Sequence, residues 1–310
     1  MTQFHTKPFL TPEERIAAAS LPKSQRQTMI KNLLYRYPEF KKGLKFIEDF
    51  HRPGSEDLHD TGVIGGLLGE GRVGKTVIYK YFASLHPNGV GDDGETFPIV
   101  YLEATEQMTP AHMADRLYYL TGARSIPMMK PDAKMDKAVL RLAAAKTELL
   151  IIDEAQDLFY NRPQPQLRVF RGFLKTLSDA NLFNILLVGE ERLNEIINEY
   201  NRLANRGGFY SETIEPLGDS DEEFEMFRLF LDKIDERLPF AAPSGLNNAA
   251  WAKDFHYYSE GKIGRLMNLV IRAAMMALKQ DTACVMVEHL REAVNRMRKP
   301  GDHYRYFERS

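Results

Sequence analysis

The chain has 310 residues, of which 41 are Lys or Arg and 43 are Asp or Glu, so its net charge at pH 7 is −2. This near balance excludes a polycationic, histone-like binder, and any nucleic-acid contact must come from a local basic surface. The single cysteine, Cys284, excludes a disulfide framework or a zinc site of several thiolates, and no apolar run approaches the ~18 residues of a membrane span, so we expect a cytoplasmic protein without a membrane partner.

Two kinds of pattern follow one another along the chain. In an N-terminal segment, residues 1–60, apolar side chains recur at helical spacing, which predicts helices. Between residues 61 and 217, short apolar runs alternate with helical patterns. The runs lie at 63–68, 98–102, 149–152, 185–188 and 213–217. This alternation predicts an α/β core with a central parallel five-stranded sheet and helices on both faces.

Only helical patterns follow Gly218. We therefore predict a smaller all-helical lid domain over residues 218–299, which ends before Pro300-Gly301. The remaining tail, residues 300–310, carries three aromatic side chains among charged ones, which is typical of a mobile or partner-bound segment.

A phosphate-binding motif joins the first predicted strand to the next helix. Residues 69–76 read Gly69-Glu70-Gly71-Arg72-Val73-Gly74-Lys75-Thr76 and fit G-x-x-x-x-G-K-[ST]. The glycines let backbone N–H groups close around phosphates, Lys75 reaches the β- and γ-oxygens, and the Thr76 hydroxyl ligates Mg²⁺. The motif therefore predicts binding of ATP with Mg²⁺.

The apolar run at 149–152 ends in two acids, Asp153 and Glu154. One carboxylate at such a strand end holds Mg²⁺, and its neighbour polarises the attacking water. We assign Asp153 to the metal and Glu154 to the water. By themselves two acids would only begin a loop, but paired with the phosphate loop they predict ATP hydrolysis.

Four further residues are candidates for sensing the γ-phosphate. Glu190 follows the run at 185–188, and it is either a polar sensor or a first-turn residue favoured by the helix dipole. Arg206 lies near the end of the next helix, and Arg202, in the same helix, is the second choice for the same role. Arg206 is either an arginine finger for a neighbouring subunit or a cation stabilised by that helix dipole. Arg265 is predicted to fold onto the phosphates from the lid, although a lone arginine is usually a solvated helix residue.

Together these motifs carry a family resemblance. The phosphate loop, the strand LLIIDE and the turn Gly261–Leu266, which reads G-x-I-G-R-L, resemble AAA+ ATPases and especially the transposition regulators TniB and TnsC. The resemblance spans about residues 30–295, and Glu190 departs from the Thr or Asn usual in that family. It implies a protein that binds ATP and oligomerises on duplex DNA as a ring or helical filament. It further implies a transposase as partner, which the protein recruits or activates, and a target-selector protein as another candidate partner.

The resemblance also implies where DNA is held. In that family DNA contacts the segment after the second strand and the loop before the Walker B helix, here Glu106–Pro110 and Ala123–Lys137. The implied DNA-binding residues are Gln107, Thr109, Lys130 and Lys134. The second segment carries four cations and two acids, which an ordinary solvated face explains equally well.

The role of two oppositely charged stretches stays open. Residues 23–46 hold seven cations and one acid, whereas residues 219–236 hold eight acids and two cations. These are solvated faces, or else the basic stretch contacts DNA or the acidic stretch of another subunit.

The alternatives to a transposition regulator are an ATPase that remodels proteins or drives secretion without DNA, and a clamp-loader or helicase-type motor.

Overall fold

The structure is a computed structural model that describes residues 4–51, 63–126, 128–199 and 209–308. Its helices in chain order are α1 (Pro12–Ala19), α2 (Lys23–Lys31), α3 (Pro38–Phe50), α4 (Lys75–Leu85), α5 (Pro110–Leu120), α6 (Pro131–Ala144), α7 (Gln164–Asp179), α8 (Leu193–Asn198), α9 (Asp221–Asp235), α10 (Ala249–Ser259), α11 (Ile263–Lys279) and α12 (Val287–Met297). Its strands are β1 (Ile64–Leu68), β2 (Gly89–Gly91), β3 (Gly94–Thr96), β4 (Ile99–Glu103), β5 (Leu149–Asp153), β6 (Asn184–Gly189) and β7 (Tyr210–Thr213). A short 3₁₀ helix, Ala155–Leu158, follows β5.

The described residues fall into two compact units. An α/β unit comprises the described parts of 39–71 and 75–214, and a helical unit comprises those of 2–38, 72–74 and 215–310. The predicted N-terminal segment is thus divided between the two units. Its helix α3 places Phe46 and Phe50 in the buried interior of the α/β unit, whereas α2 packs against α11 of the helical unit.

The α/β unit is built on a five-stranded parallel sheet in the order β4-β5-β6-β1-β7, which confirms the predicted fold class. Strands β5 and β6 are buried along their whole length, as expected when helices cover both faces of a sheet. Because all five strands run the same way, their carboxyl ends meet at one edge. The loop after β1 and the acids Asp153 and Glu154 at the end of β5 therefore lie at the same edge of the sheet.

The fifth strand lies three residues earlier than predicted. The run at 213–217 indicated a strand because it contains two apolar residues, but these are buried beyond the end of β7. Ile214 donates its N–H to the carbonyl of Leu68 and packs beside Gly43 of α3. Leu217 belongs to the helical unit, where its N–H donates to the carbonyl of Gly261. The antiparallel pair β2–β3 was not predicted.

Buried carboxylates organise the helical unit. Asp235 accepts hydrogen bonds from the N–H groups of Ser244 and Gly245 at 3.0 and 2.7 Å. Asp254 accepts from the hydroxyl of Tyr304 at 2.9 Å and from the N–H of Phe307 at 2.6 Å. Phe307 is fully buried, so the described part of the C-terminal tail is packed onto its own unit. Among the described residues, no helix is both long and apolar enough to cross a bilayer.

Candidate nucleotide-binding site

The loop between β1 and α4 has the backbone conformation that a phosphate cradle needs. Gly69 and Gly74 have φ angles of +139° and +113°, values that side chains with a Cβ rarely allow. Arg72 also lies at positive φ, at +71°. A Cβ on Gly71 would meet no atom within 4 Å, which leaves that side of the loop open to a ligand. The glycine positions of the motif therefore fit a bound phosphate chain.

The lysine of the motif folds into its own loop. Lys75 Nζ donates to the carbonyl oxygens of Gly69 and Glu70 at 2.7 and 2.8 Å. Burial lowers the pKa of Lys75, because removal of water penalises its charged form. Four carboxylates oppose that effect, namely those of Glu154, Asp153, Glu190 and Glu191. Lys75 is thus a half-buried cation beside four carboxylates, and it is the group of this loop whose charge could pair with a phosphate.

The two side chains predicted to bind the metal, Thr76 and Asp153, are in contact at the end of β5. Asp153 is only 6% exposed, and its Oδ2 accepts hydrogen bonds from Thr76 Oγ1 at 2.9 Å and from the Tyr79 hydroxyl at 2.8 Å. Its Oδ1 accepts the N–H of Glu154 at 3.0 Å. A hydroxyl and a carboxylate in contact are oxygen ligands of the kind that Mg²⁺ takes. The residues present therefore fit a magnesium ion.

Tyr79 was not predicted as a site residue. Burial and the neighbouring charge of Asp153 both raise the pKa of its hydroxyl, so this group remains a hydrogen-bond donor. It lies three residues after Thr76 on α4, and side chains at that spacing share one helix face. That spacing was the available signal, but a tyrosine on a helix is more often a packing residue.

The catalytic candidate Glu154 has an unusual backbone and an exposed side chain. Its φ of +52° places it in the left-handed region, directly after the buried Asp153. Glu154 is exposed, so its carboxylate has access to water next to the contact between Thr76 and Asp153. Its Oε2 accepts a hydrogen bond from Gln156 Nε2 at 2.5 Å. Gln156, like Tyr79, was not predicted as a site residue.

Glu190 follows β6 and adds to an acidic environment. Burial raises the pKa of Asp157, and the carboxylates of Glu154, Glu106 and Glu190 raise it further. Burial and Glu190 also raise the pKa of Tyr160, whose ring lies 5.2 Å from the Arg192 guanidinium. These contacts do not distinguish a γ-phosphate sensor from a first-turn acid, so the role of Glu190 stays a prediction.

The two predicted arginines have different outcomes. Arg206 lies outside the described residues, as does Arg202. Arg265 Nη1 contacts Glu260 Oε1 at 2.6 Å, and its guanidinium lies 4.9 Å from the ring of Tyr258. Hydrogen bonds from Lys262 and Arg265 lower the pKa of Glu260 to about 2. Arg265 is thus held by an acid of its own unit.

The two glycines of the lid turn each allow a close backbone approach within the helical unit. A Cβ on Gly261, whose φ is +70°, would lie 1.9 Å from the carbonyl oxygen of Leu217. A Cβ on Gly264 would lie 2.6 Å from the carbonyl oxygen of Arg72 in the phosphate loop. The start of α11 therefore packs directly on the backbone of that loop residue, next to the position of Arg265.

The predicted DNA-binding residues have distinct surroundings. Gln107 is exposed, and Thr109 caps α5 by accepting the N–H of His112 at 3.1 Å. Lys130 is exposed at the start of α6 and has no ion pair with another described residue. Lys134 instead forms a half-buried ion pair with Asp115 at 2.9 Å. Its charge is therefore partly neutralised within the protein.

One arginine ties the first predicted DNA segment to the residues after Glu154. Arg162 donates to the carbonyl oxygens of Asp157, Met108 and Thr105 at 2.9, 2.8 and 3.0 Å. Its guanidinium also lies 4.7 Å from the ring of Phe170. The planar fork of arginine suits such a multiple contact. Arg162 therefore links the segment Glu106–Pro110, through Met108, to the 3₁₀ helix that follows β5.

The basic stretch at 23–46 is largely used inside the protein. Arg26 is buried and donates to the carbonyl of Pro239 at 2.9 Å. Lys42 pairs with Glu212 of β7 at 2.9 Å. Lys41 is exposed and has no ion pair with another described residue. The stretch is therefore not one continuous free basic face.

Comparisons with known proteins identify the family and the fold of the chain. The family model described as bacterial TniB protein matches residues 32–216, and no curated protein matches. Cdc6p from Pyrobaculum aerophilum is similar in structure, with a TM-score of 0.55 and 16% identity over 85% of this chain and 68% of that chain. ORC1 from Aeropyrum pernix, solved in complex with DNA, has a TM-score of 0.56 and 17% identity over 85% of this chain and 65% of that one. ORC2 from Aeropyrum pernix, solved as ADPNP and ADP complexes, has a TM-score of 0.54 and 14% identity over 84% and 67%.

At these identities the solved structures show the fold alone, and the chain spans about two thirds of their length. The fold is that of AAA+ ATPases, as the motifs indicated. The TniB model matches more than half of the chain, including the phosphate loop and the acids Asp153 and Glu154 at the end of β5. The chain therefore belongs to the bacterial TniB family and is an AAA+ ATPase.

Proposed function

We propose that this protein is an ATP-controlled regulator of DNA transposition, which assembles on duplex DNA and recruits or activates a transposase in the cytoplasm. One observation carries the proposal: in a chain of the TniB family, Thr76 and Asp153 are in contact and Glu154 follows with an exposed carboxylate. This arrangement suits an ATPase in which hydrolysis sets how long the assembled state lasts. The outcome of the cycle is then an oligomer on DNA and not a chemical product.

Each residue of the nucleotide site has a proposed task. Lys75 and the N–H groups of residues 69–76 would bind the phosphates, and Thr76 and Asp153 would hold Mg²⁺. Bound Mg²⁺ would neutralise charge on the phosphate oxygens. Glu154 polarises the attacking water from the exposed side of the strand end.

Two substitutions test this assignment. Lys75→Ala removes the phosphate-binding charge and is expected to abolish tight ATP binding. Glu154→Gln keeps the side-chain shape and should retain binding, but lose hydrolysis by orders of magnitude, because only water activation is removed. Equal ATP affinity in the wild type and in Lys75→Ala would refute the site.

The proposed DNA contact rests on the segment Glu106–Pro110 and on Lys130. Arg162 holds the segment against the residues that follow Glu154, so a change at the nucleotide has a direct structural route to the segment. Lys130 is exposed and free of ion pairs with other described residues, so it is available to a phosphate. Lys134 must first break its ion pair with Asp115, so we expect its contribution to DNA binding to be smaller.

Phosphate contacts predict binding that is nearly independent of sequence and steeply weakened by salt. Lys130→Ala should weaken binding to all duplexes alike and flatten the log–log salt slope by about 0.9. Lys134→Ala should change the slope less. Lys41→Ala is the matched control, an exposed cation of α3 in the same unit. If only the control variant weakens binding, the DNA surface lies in the basic N-terminal stretch.

We also propose that Arg206 acts on a neighbouring subunit's ATP, as the sequence suggested. Mixing Arg206→Ala with Glu154→Gln protein should then restore part of the activity, because some interfaces combine an intact Arg206 with an intact Glu154. If no mixing ratio restores activity while both variants still assemble, the residue has a structural role. We propose in the same way that Arg265 contacts ATP from the lid after leaving Glu260.

A further inference from the structure

Gln156 lies beside the catalytic candidate and is buried in the 3₁₀ helix after β5. Only 8% of its surface is exposed, and its Nε2 donates to Glu154 Oε2 at 2.5 Å. A carboxylate accepts hydrogen bonds and does not donate them, so the NH₂ group of the amide must be the one that faces Glu154. The orientation of the Gln156 side chain is thereby fixed.

The other end of the same amide is buried without a partner. Gln156 Oε1 accepts no hydrogen bond from any described residue. It lies against the last residue of β6, because a Cβ on Gly189 would be only 2.4 Å from this oxygen. The amide is thus wedged between Glu154 and the end of the neighbouring strand, one residue before Glu190.

Packing alone does not account for an amide at this position. A methionine has nearly the same length and volume, and it would fill the space without burying an unpaired oxygen. A buried amide with a hydrogen-bond partner at only one end calls for an explanation. The partner that Gln156 does have is the side chain proposed to activate water.

The charges around Glu154 show what the amide contributes. Glu154 lies among acids, because its carboxylate and those of Glu106 and Glu190 all act on Asp157. Like charges favour orientations of the Glu154 side chain that point away from this group. A hydrogen bond from Gln156 opposes that tendency and holds the carboxylate in one orientation.

We propose that Gln156 is a positioning residue for ATP hydrolysis, whose amide N–H holds the Glu154 carboxylate in the orientation that activates water. This proposal rests on the proposed role of Glu154. It assigns no contact between Gln156 and ATP. Loss of the amide should therefore slow turnover without weakening nucleotide binding.

The direct test is Gln156→Met, which keeps side-chain volume and removes the donor. We expect kcat to fall about 10- to 100-fold, the effect typical of groups that orient a reacting residue. The KM for ATP and the melting temperature should not fall with it, because packing is kept and an unpaired buried oxygen is removed. Gln156→Glu, which puts a second acid beside Glu154, should lose kcat as well. Gln166→Met, an exposed glutamine of α7 in the same unit, is the matched control and should behave as wild type.

A double-substitution cycle separates positioning from a structural role. In a Glu154→Gln background, adding Gln156→Met should cause no further loss of the residual single-turnover rate, because Gln156 acts only through Glu154. The proposal is overturned if Gln156→Met keeps kcat within twofold of wild type. It is also overturned if the same fold-loss persists in the Glu154→Gln background. If Glu154→Gln itself hydrolyses ATP normally, the proposed role of Glu154 fails instead.

Discussion

Replacement of Tyr79 by phenylalanine tests how the metal-binding carboxylate is held. The lost hydroxyl donates to Asp153 Oδ2 at 2.8 Å, and both side chains are almost fully buried. A hydrogen bond to a charged group contributes about 1.5–3 kcal/mol. Asp153 keeps its bonds from Thr76 and from the N–H of Glu154, so we expect a loss within this range and no more.

Urea denaturation of the purified protein measures this loss as a change in the free energy of unfolding of the α/β unit. The pKa of Tyr79 is raised, so the hydrogen bond is fully present below the ordinary tyrosine value near 10 and is lost only above it. The destabilisation should therefore be the same at pH 6 and at pH 9.

Tyr101→Phe provides a matched control. Its ring lies 5.5 Å from that of Tyr79, but the side chain is 39% exposed. This change should alter stability by less than about 0.5 kcal/mol. If Tyr79→Phe and Tyr101→Phe are equally stable, the hydroxyl of Tyr79 does not hold Asp153, and the described geometry around this carboxylate is wrong.

Four further outcomes are expected. Gly264→Ala places a Cβ 2.6 Å from a main-chain oxygen of the phosphate loop, so it should weaken ATP binding in a titration. In Gly172→Ala the added Cβ meets no atom within 4 Å, so this change in α7 should raise the free energy of unfolding by about 0.5–1 kcal/mol. Glu260→Gln breaks a half-exposed pair with Arg265, so it should cost less than about 1 kcal/mol at pH 7; because the pKa of Glu260 is lowered to about 2, that difference should shrink as pH falls from 4.5 to 2. Arg162→Ala should accelerate amide hydrogen exchange at residues 105–108, and unchanged exchange would show that the arginine does not fix this segment.

The parts of the site that could be predicted are those encoded by local spacing. The phosphate loop and the two acids at the end of β5 each occupy a few consecutive residues next to an apolar run, so sequence alone identifies them. The parallel sheet follows from the alternation of such strands with helices. Contact between Thr76 and Asp153 then follows from topology, because parallel strands bring their carboxyl ends to one edge.

The residues that were missed depend on approaches between distant parts of the chain. Arg162 donates to carbonyls 54 and 57 residues away, and no local pattern signals such a contact. Lys134 looked like a free cation because its partner Asp115 lies on another helix. The shift of the fifth strand has the same origin, since Ile214 is apolar for packing against α3 and not for strand pairing.

The most direct test of the central claim is the assembly of Glu154→Gln protein on duplex DNA, followed by sedimentation and electron microscopy at low salt. With ATP and Mg²⁺ this variant should form long-lived oligomers on duplexes of any sequence, because it binds ATP and does not hydrolyse it. Lys75→Ala protein should form none. If ATP-loaded Glu154→Gln protein binds no duplex, the transposition proposal is contradicted and an ATPase that remodels proteins without DNA becomes the better account.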